Sequence, residues 1–166
     1  MPELYITSDQ HVDDPIMLKY RPHFRNIAAH NNSTWYLLDQ VRKDDVVCFL
    51  GDSFLSPDSL NKLAKYPFQK MLVLGNHEFE KGATLEMVSK VFDEIHGSYR
   101  LGNYWLTHIP MHPDVLGGRT NIHGHIHSKT KLARDDRYIN VSPEATNYRL
   151  IGFSDIQSGS YKPWSY

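Results

Sequence analysis

The sequence predicts a single α/β domain, and three observations lead to this fold class. Short apolar runs alternate with amphipathic segments of helical spacing in the first half of the chain. The second half is richer in strand-like runs, so a mixed sheet should take over from a βαβ arrangement. At 166 residues the chain is long enough for one sizeable core but too short for two ordinary domains. We therefore expect one domain over residues 1–166, with a loosely packed tail at residues 159–166.

Three apolar runs in the first half predict buried strands. They cover residues 4–7, 45–50 and 71–74. Each is short and mainly apolar, and each is followed by polar residues or glycine. In an α/β domain such runs form a parallel sheet, and helices connect them.

Two helices should connect these strands. Residues 31–42 have helical apolar spacing, with Asn32 or Ser33 as the cap and Trp35 in the core. The second helix begins at Ser56-Pro57, because proline is favoured at the first helical position. Both helices therefore present one apolar face to the sheet.

A third helix should cover residues 84–96 and end at Gly97, which would adopt the left-handed conformation of a helix C-cap. Beyond it the chain becomes rich in strands. The expected strands are residues 99–101, 104–107, 121–123, 129–133 and 138–141.

Composition and charge narrow the classes of function. The formal net charge is −1, so no overall positive field indicates nucleic acid as an obligatory partner. No apolar run approaches membrane-spanning length, and the first strand begins without a preceding signal peptide. Cys48, the single cysteine, lies in a predicted buried strand. An inert thiol and no disulfide within the chain fit a reducing cytoplasm.

Five polar patches each follow a predicted strand. Because ligands bind beyond the carboxyl ends of strands in open α/β sheets, these patches should meet at one rim. Together they supply carboxylate, carboxamide and imidazole groups, which suit two divalent transition metals. The patches are Asp9-Gln10-His11, Gly51-Asp52, Gly75-Asn76-His77-Glu78, Thr107-His108 and His123-Gly124-His125-Ile126-His127.

These patches match, in order, the motifs D-x-H, G-D, G-N-H-[D/E], H and G-H-x-H, so the chain resembles the calcineurin-like metallophosphoesterases. The resemblance extends from Tyr5 to about Ile156. It is closer to a group of small stand-alone bacterial and phage phosphoesterases, which share Arg21-Pro22 and Asn147-Tyr148-Arg149. The resemblance implies a four-layer α/β/β/α sandwich, in which helices flank two mixed sheets.

The resemblance also implies a set of metal ligands. By motif position the first metal would be held by Asp9, His11 and His127. The second would be held by Asn76, His108 and His125, with Asp52 bridging both ions and His77 acting as a catalytic histidine that is not a ligand. Asp52 and Asn76 thus belong to the catalytic site as well.

Elementary chemistry agrees with these roles. A carboxylate has two oxygens, so Asp52 can bind one ion with each. His125 and His127, two residues apart on an extended segment, would point to the same side, and Ile126 would face the core. His123 lies one step further back, and we expect it behind the ligands or in the core.

The mechanism follows from the charge of two neighbouring cations. They would lower the pKa of a water held between them, and the resulting hydroxide would attack phosphorus in line. A protonated His77 would stabilise the developing charge or protonate the departing oxygen. Mn²⁺ is the first expectation for the metals, and iron, zinc and nickel suit the same ligands.

The substrate is less closely defined. Protein phosphatases of this superfamily carry Asp-Arg-Gly in the second block, whereas this chain has Gly51-Asp52-Ser53 and no arginine there. The short spacings leave no room for a lid domain, so the site should be open. A phosphodiesterase or a nucleotide-directed phosphatase is therefore expected. The alternatives are a non-catalytic metal-binding scaffold for protein interactions and a phosphoprotein phosphatase.

The sequence allows two interpretations of the role of several polar residues. Arg21, His23 and Arg149 could contact substrate or be ordinary surface or salt-bridging residues. Asp14, where small relatives often carry histidine, could cap a helix or lie near the site. The histidines outside the five patches should be surface or loop residues: His23, His30, His96 and His112. The oligomeric state stays open, and only a few aromatic residues hint at a contact: Tyr161, Trp164 and Tyr166.

Overall fold

In the computed structural model, which describes residues 1–127 and 135–161, two β-sheets pack face to face. Nine strands form them within these residues: β1 (Leu4–Thr7), β2 (Val46–Phe49), β3 (Gln69–Val73), β4 (Glu94–His96), β5 (Tyr99–Leu101), β6 (Tyr104–Thr107), β7 (Thr120–His123), β8 (Tyr138–Asn140) and β9 (Ile151–Gly152). The strand order is β4-β3-β2-β1-β9 in the first sheet and β5-β6-β7-β8 in the second.

Both sheets are mixed. In the first, β1 to β4 run parallel and β9 pairs antiparallel with β1. In the second, β6, β7 and β8 run parallel and β5 is antiparallel. The predicted sandwich of two mixed sheets flanked by helices is therefore confirmed.

The alternation of side chains along β2 shows how the layers form. Val47 and Phe49 belong to the cluster that packs against the helices, whereas Cys48 and Leu50 belong to the cluster between the sheets. Successive side chains of a strand point to opposite faces, so a strand buried on both faces must be apolar throughout. The predicted burial of the Cys48 thiol is correct, and this burial raises its pKa to about 12.

Polar side chains cap the starts of the three longest described helices. Six helices are present in the described residues: α1 (Met17–Tyr20), α2 (Ile27–Leu38), α3 (Pro57–Leu63), α4 (Leu85–Val91), α5 (Pro143–Thr146) and α6 (Phe153–Ser158). The Ser56 side chain accepts a hydrogen bond from the Ser59 N–H at 3.1 Å, which confirms the predicted start of α3. Every helix in this part of the chain is too short to cross a bilayer.

The first helix lies four residues earlier in the chain than predicted. It covers Ile27–Leu38 rather than residues 31–42, because the Asn26 side chain accepts from the Ala29 N–H at 2.8 Å and caps it earlier than Asn32 or Ser33 would. Trp35 lies in the core as expected. His30, predicted at the surface, is only 1% exposed in this helix.

The third predicted helix was too long. It ends at Val91, and Glu94–His96 forms strand β4 at the edge of the first sheet, with Ile95 beside Leu72. The Asp93 carboxylate accepts from the Lys70 N–H at 2.7 Å, and pairing with β3 outweighs helical spacing. His96 is therefore a strand residue, and Gly97 is not a helix cap.

The remaining predictions agree with the structure or lie outside it. The strands at residues 4–7, 99–101 and 104–107 have the predicted bounds, and the predicted strand at 129–133 lies outside the described residues. In the tail, residues 162–166, and with them Trp164 and Tyr166, are also outside. Tyr161 is half-buried rather than exposed, because its hydroxyl donates to the Asn140 carbonyl at 3.0 Å.

Candidate metal centre

The five polar patches meet at one edge of the molecule. They follow β1, β2, β3, β6 and β7, and backbone hydrogen bonds join neighbouring loops. The N–H of His11 donates to the Asp52 carbonyl at 2.9 Å, and the N–H of Gly124 donates to the His108 carbonyl at 3.0 Å. The Asp9 carboxylate accepts from the His125 N–H at 2.8 Å. Loops from both sheets therefore form one site.

A first group of ligand atoms belongs to Asp9, His11 and His127. The metal-ligating atoms of these residues lie within 4.8 Å of one another. Oδ1 of Asp9 lies 3.9 Å from Nε2 of His11 and 3.7 Å from Nε2 of His127. One carboxylate and two imidazoles at these distances could hold a metal ion.

A second group belongs to Asp52, His108 and His125, whose ligand atoms also lie within 4.8 Å of one another. Nε2 of His108 lies 3.0 Å from Oδ2 of Asp52 and 3.2 Å from Nδ1 of His125. The carboxamide oxygen of Asn76 is 2.9 Å from the same Nε2 atom. This group therefore offers three side chains plus an amide oxygen to a second ion.

The buried polar atoms of the first group test whether a cation fits. Oδ1 of Asp9 and Nε2 of His11 are buried and have no hydrogen-bond partner within the part of the chain that the structure describes. Oδ2 of Asp9, by contrast, accepts from Ser8, His125 and Ser142. Buried polar atoms without partners are costly in folded proteins. A divalent cation would satisfy them, and the donor set fits this ion.

The backbone at the site is strained. Non-glycine residues rarely adopt positive φ, since it costs of order 1 kcal/mol, and such residues concentrate at functional sites. Eight described non-glycine residues have positive φ, and most of them are candidate ligands. These are Asp9 at 53°, His11 at 48°, Asp52 at 52°, His125 at 65° and His127 at 48°.

This geometry corrects the sequence-based picture of residues 123–127. His125 and His127 do not lie on an extended segment, because each adopts a left-handed conformation. Because of this turn, His125 belongs to the second group of candidate metal ligands and His127 to the first; the two sets are called the metal groups. Ile126, expected to face the core, instead lines a surface cleft.

Glu78 holds two of the loops together. Its Oε2 atom accepts from the N–H of Asp52 at 2.9 Å and from the N–H of Gly75 at 2.7 Å. Burial raises the pKa of this carboxyl, although the two N–H groups favour its charged form. A Cβ at position 75 would overlap Oδ1 of Asp52, so only glycine permits this close approach.

A second carboxylate, Glu144, orients His127. Its Oε1 atom lies 2.9 Å from Nδ1 of His127 and 2.8 Å from Nε of the buried Arg21. Burial would raise the pKa of Glu144, but His127 and Arg21 lower it to about 2. With Nδ1 paired to a carboxylate, His127 presents Nε2 to Asp9, as metal-binding histidines commonly do.

His108 is oriented in a similar way by the backbone. Its Nδ1 lies 2.7 Å from the Leu50 carbonyl, which leaves Nε2 facing Asp52. Burial lowers its pKa, but the carboxylates of Asp52 and Asp9 together raise it to about 9. Burial lowers the pKa of His125, and the neighbouring His108 adds to this effect. The two carboxylates thus favour positive charge at this position of the site.

His77 lies beside the two groups and belongs to neither. Its backbone N–H donates to Oδ1 of Asp52 at 2.8 Å, and its ring centroid is 6.0 Å from that of His11. Nδ1 lies 2.7 Å from Oε2 of Glu80, and the side chain is 41% exposed. The ring is therefore held at the entrance of the site with Nε2 away from Glu80.

Comparisons with known proteins add a family and a fold. No protein-family model matches the sequence. The uncharacterized protein MJ1445 of Methanocaldococcus jannaschii is 31% identical over 171 residues, covering 94% of this chain and 90% of that protein. The chain belongs to the family of this archaeal protein.

Two solved structures resemble the structure of the present chain. AQ665 from Aquifex aeolicus, a protein of unknown function, has a TM-score of 0.74 and 23% identity, covering 95% of this chain and 99% of its own. The two proteins therefore share the fold. An archaeal phosphodiesterase has a TM-score of 0.48 and 21% identity, covering 88% of this chain and 86% of its own, which is too distant to inform function.

The structure shows where the residues with two interpretations lie in this protein. Arg21 is 1% exposed, and its salt bridge to Glu144 lies inside the protein. Asp14 is buried beside His11, with 3.6 Å between Oδ2 and Nδ1, and it also accepts from the Ile16 N–H before α1. His123 is buried behind the groups, 2.9 Å from the Gly124 carbonyl, and belongs to neither.

His23 and Arg149, the other two residues with two interpretations, belong to neither metal group. His23 is exposed and packs against Phe24 and Tyr148, 5.1 Å from the latter ring. The Nε of Arg149 donates to the Thr146 carbonyl at 3.3 Å. His112 is an exposed loop residue as expected, since it precedes a short 3₁₀ helix at Pro113–Val115.

Sequence reasoning missed three acidic residues around the site: Glu78 as a link between loops, Glu80 and Glu144. One signal was available for Glu144. Ser142-Pro143-Glu144 follows the predicted strand at 138–141, the same position that identified the five patches. Ser142 donates to Asp9 at 3.0 Å, so this sixth patch also belongs to the site.

Proposed function

We propose that the protein is a metal-dependent phosphoester hydrolase of the calcineurin-like type, with two divalent cations. The observation that carries this proposal is the pair of adjacent groups, each with one aspartate and two histidines whose ligand atoms lie within 4.8 Å of one another. The order of the motifs along the chain supports it. The unpartnered Oδ1 of Asp9 points to a cation rather than to a purely structural network.

The proposed ligands follow the two groups. Asp9, His11 and His127 would hold the first ion. The second would be held by His108, His125 and Asn76, and Asp52 would bridge both ions. The contacts of Nε2 of His108 with Asn76 and Asp52 support the second set. We expect Mn²⁺ first, while iron, zinc and nickel suit the same ligands.

Two cations in this site, when bound, would activate water and neutralise charge on the phosphoryl oxygens. The chain itself supplies the remaining functions. His77 would give a proton from Nε2 to the departing ester oxygen. Glu80 keeps the ring in place through Nδ1. Asn76 is a neutral ligand and does not reduce the positive charge that the phosphate meets.

The favoured substrate is a phosphodiester or a nucleotide. Beside the first metal group lies a cleft of about 580 Å³ that is open to solvent and can accept a group larger than a phosphate. The block after β2 has no arginine to bind phosphate, which disfavours a phosphoprotein phosphatase. A cytoplasmic location, expected from the single cysteine, stays a prediction.

A decisive experiment combines metal analysis with turnover. We expect about two Mn²⁺ ions per chain in the two groups and hydrolysis of bis(4-nitrophenyl) phosphate that depends on Mn²⁺. Asp52→Asn should lose both metal occupancy and turnover. Asp114→Asn, at an exposed position outside the site, is the matched control.

The alternative is a metal-binding scaffold without catalysis. A protein that binds the metals fully but hydrolyses neither monoesters, diesters nor cyclic nucleotides would support this alternative and contradict the proposal. Retention of such a protein by a partner would strengthen that conclusion.

A further inference from the structure

The cleft of about 580 Å³ beside the first metal group is lined by two chemically different sets of residues. The polar set includes His11, His77 and His127. The apolar set is Ile16, Met17, Tyr20 and Ile126, and the first three, in or next to α1, form the apolar wall. A substrate with its phosphate on the metal groups would therefore extend one ester group towards the apolar wall.

The apolar wall is built around α1 and is anchored at both ends. At its start, Met17 N–H donates to the Asp14 carbonyl at 3.1 Å, and Asp14 also pairs with Lys81 at 3.3 Å. At its end, the buried Arg21 donates its N–H to the Met17 carbonyl at 2.7 Å. The wall is thus fixed to the same residues that surround the first metal group.

Two of its side chains are largely exposed. Ile16 is 53% exposed and Tyr20 is 58% exposed, although both lie next to the proposed reaction site. Single exposed apolar residues are ordinary on protein surfaces, but a group of them lining a cleft beside a polar site is typical of a ligand pocket.

The charges in the cleft disfavour a second phosphate. Asp14, Glu80 and Glu144 bring negative charge, and Lys81 is already paired with Asp14. Among the described lining residues no lysine or arginine is left for another anion. A nucleic-acid strand binds through several such cations along its backbone. Lys19, with Nζ 6.0 Å from the centre of the Tyr20 ring, lies outside the lining, so the cleft itself is suited to an uncharged group.

We infer that this cleft binds an aromatic, uncharged ester group of a small phosphoester, with the ring packed on Tyr20 and Ile16. The inference rests on the proposed function and names its substrate class. Offset or edge-to-face packing between aromatic rings adds about 0.5–1.5 kcal/mol beyond the burial of their surface, which favours an aryl or nucleobase group over an alkyl group. His77 lines the same cleft, so this group is the one whose oxygen His77 would protonate.

Phosphonates test the inference without turnover. Titration calorimetry of the Mn²⁺-loaded protein would compare phenylphosphonate with methylphosphonate, neither of which is a hydrolysable ester. We expect phenylphosphonate to bind about tenfold more tightly, because one fully buried aromatic side chain is worth at least that factor. Tyr20→Ala and Ile16→Asn should each reduce this preference at least about threefold while leaving the affinity for methylphosphonate unchanged.

Tyr36→Ala is the matched control, because Tyr36 is 70% exposed and lies outside the cleft. Equal affinities for the two phosphonates, or a preference that survives both variants, would overturn the inference while leaving the proposed function intact. Failure of both phosphonates to bind the metal-loaded protein would overturn the proposed function, and the inference with it. A short oligonucleotide that displaces phenylphosphonate at lower concentration than a nucleoside monophosphate would contradict the charge argument.

Discussion

Nε of Arg21 donates to Oε1 of Glu144 at 2.8 Å, and the same carboxylate oxygen lies 2.9 Å from Nδ1 of His127. The guanidinium also reaches the Asp9 carbonyl from Nη2 at 2.8 Å. One buried ion pair thus orients an imidazole of the first metal group and holds the backbone beside its aspartate. Arg21 and Glu144 are therefore part of the support for the site, whether or not either contacts substrate.

Glu144→Gln should weaken metal binding at the first group. The carboxylate partner of a metal-binding histidine commonly contributes about 10–100-fold to metal affinity, and this variant removes the charge while keeping the shape. Equilibrium dialysis against Mn²⁺ should then show one ion bound normally and one bound more weakly. Glu86→Gln, on the exposed surface of α4, is the control. Two unchanged affinities would show that Glu144 does not support His127.

His77→Ala should lower kcat about 10²–10⁴-fold, because the departing oxygen would lose the proton donor that we propose. Metal content should stay the same, since His77 belongs to neither metal group. Glu80→Gln should give a smaller decrease of the same kind. His112→Ala, at a 72% exposed imidazole, is the control. A loss of bound metal together with kcat would assign His77 a ligand role instead.

Gly124→Ala should disrupt the site more than the fold. A Cβ at this position would overlap Oδ2 of Asp9 and the side chain of Ser8. Overpacking of this kind typically costs about 1–3 kcal/mol in the free energy of unfolding, and here the displaced group is a candidate metal ligand. We expect weaker Mn²⁺ binding by calorimetry and a lower Tm. Gly97→Ala is the matched control, since a Cβ there meets open space. Equal effects of the two substitutions would contradict this argument.

Asp45 should make stability depend on pH. Hydrogen bonds from the Arg42 side chain and from the Glu3 N–H lower the pKa of this carboxyl. A carboxylate whose pKa is lowered by folding stabilises the protein above its unfolded pKa of about 3.9, and this contribution disappears as the pH falls through the folded value. Asp45→Asn should therefore be less stable than the parent at pH 7, and the difference should shrink below about pH 4.

Urea unfolding at pH 7 and pH 3 measures this difference directly. Asp44→Asn is the control, because Asp44 is the exposed neighbour in the sequence. A constant difference between parent and Asp45→Asn across this range would show that the charge of Asp45 does not contribute.

The sequence predicted the strands and the positions after them well because both depend on local signals. Apolar runs such as residues 104–107 end where polar residues begin, and this transition also marks the site. Helix ends were predicted less well. Asn26 and Asn32 are equally good caps by residue type, so the sequence alone does not choose the first, which caps the helix in the structure. Residues 94–96 continue the helical spacing of the sequence, yet in the structure they pair with the edge of β3 as a strand.

The support around the site was harder to predict than the candidate ligands. Arg21 and Glu144 are 123 residues apart, and their pairing depends on how the two sheets pack. The same is true of His30, whose burial follows from its contact with Arg21 at 2.8 Å. Sequence spacing carries no information about such long-range contacts, so both histidine and arginine were open to a surface interpretation.

The left-handed backbone of Asp9, His11, Asp52, His125 and His127 has a consequence for how this protein would respond to engineering. Glycine at any of these places would relieve the strained backbone, but it would remove a candidate ligand. At Asp9 and Asp52 it would also leave the N–H groups of His125 and His77 without their acceptors, which outweighs the relief. A screen that rewards heat resistance should therefore leave these positions unchanged and gather its substitutions elsewhere.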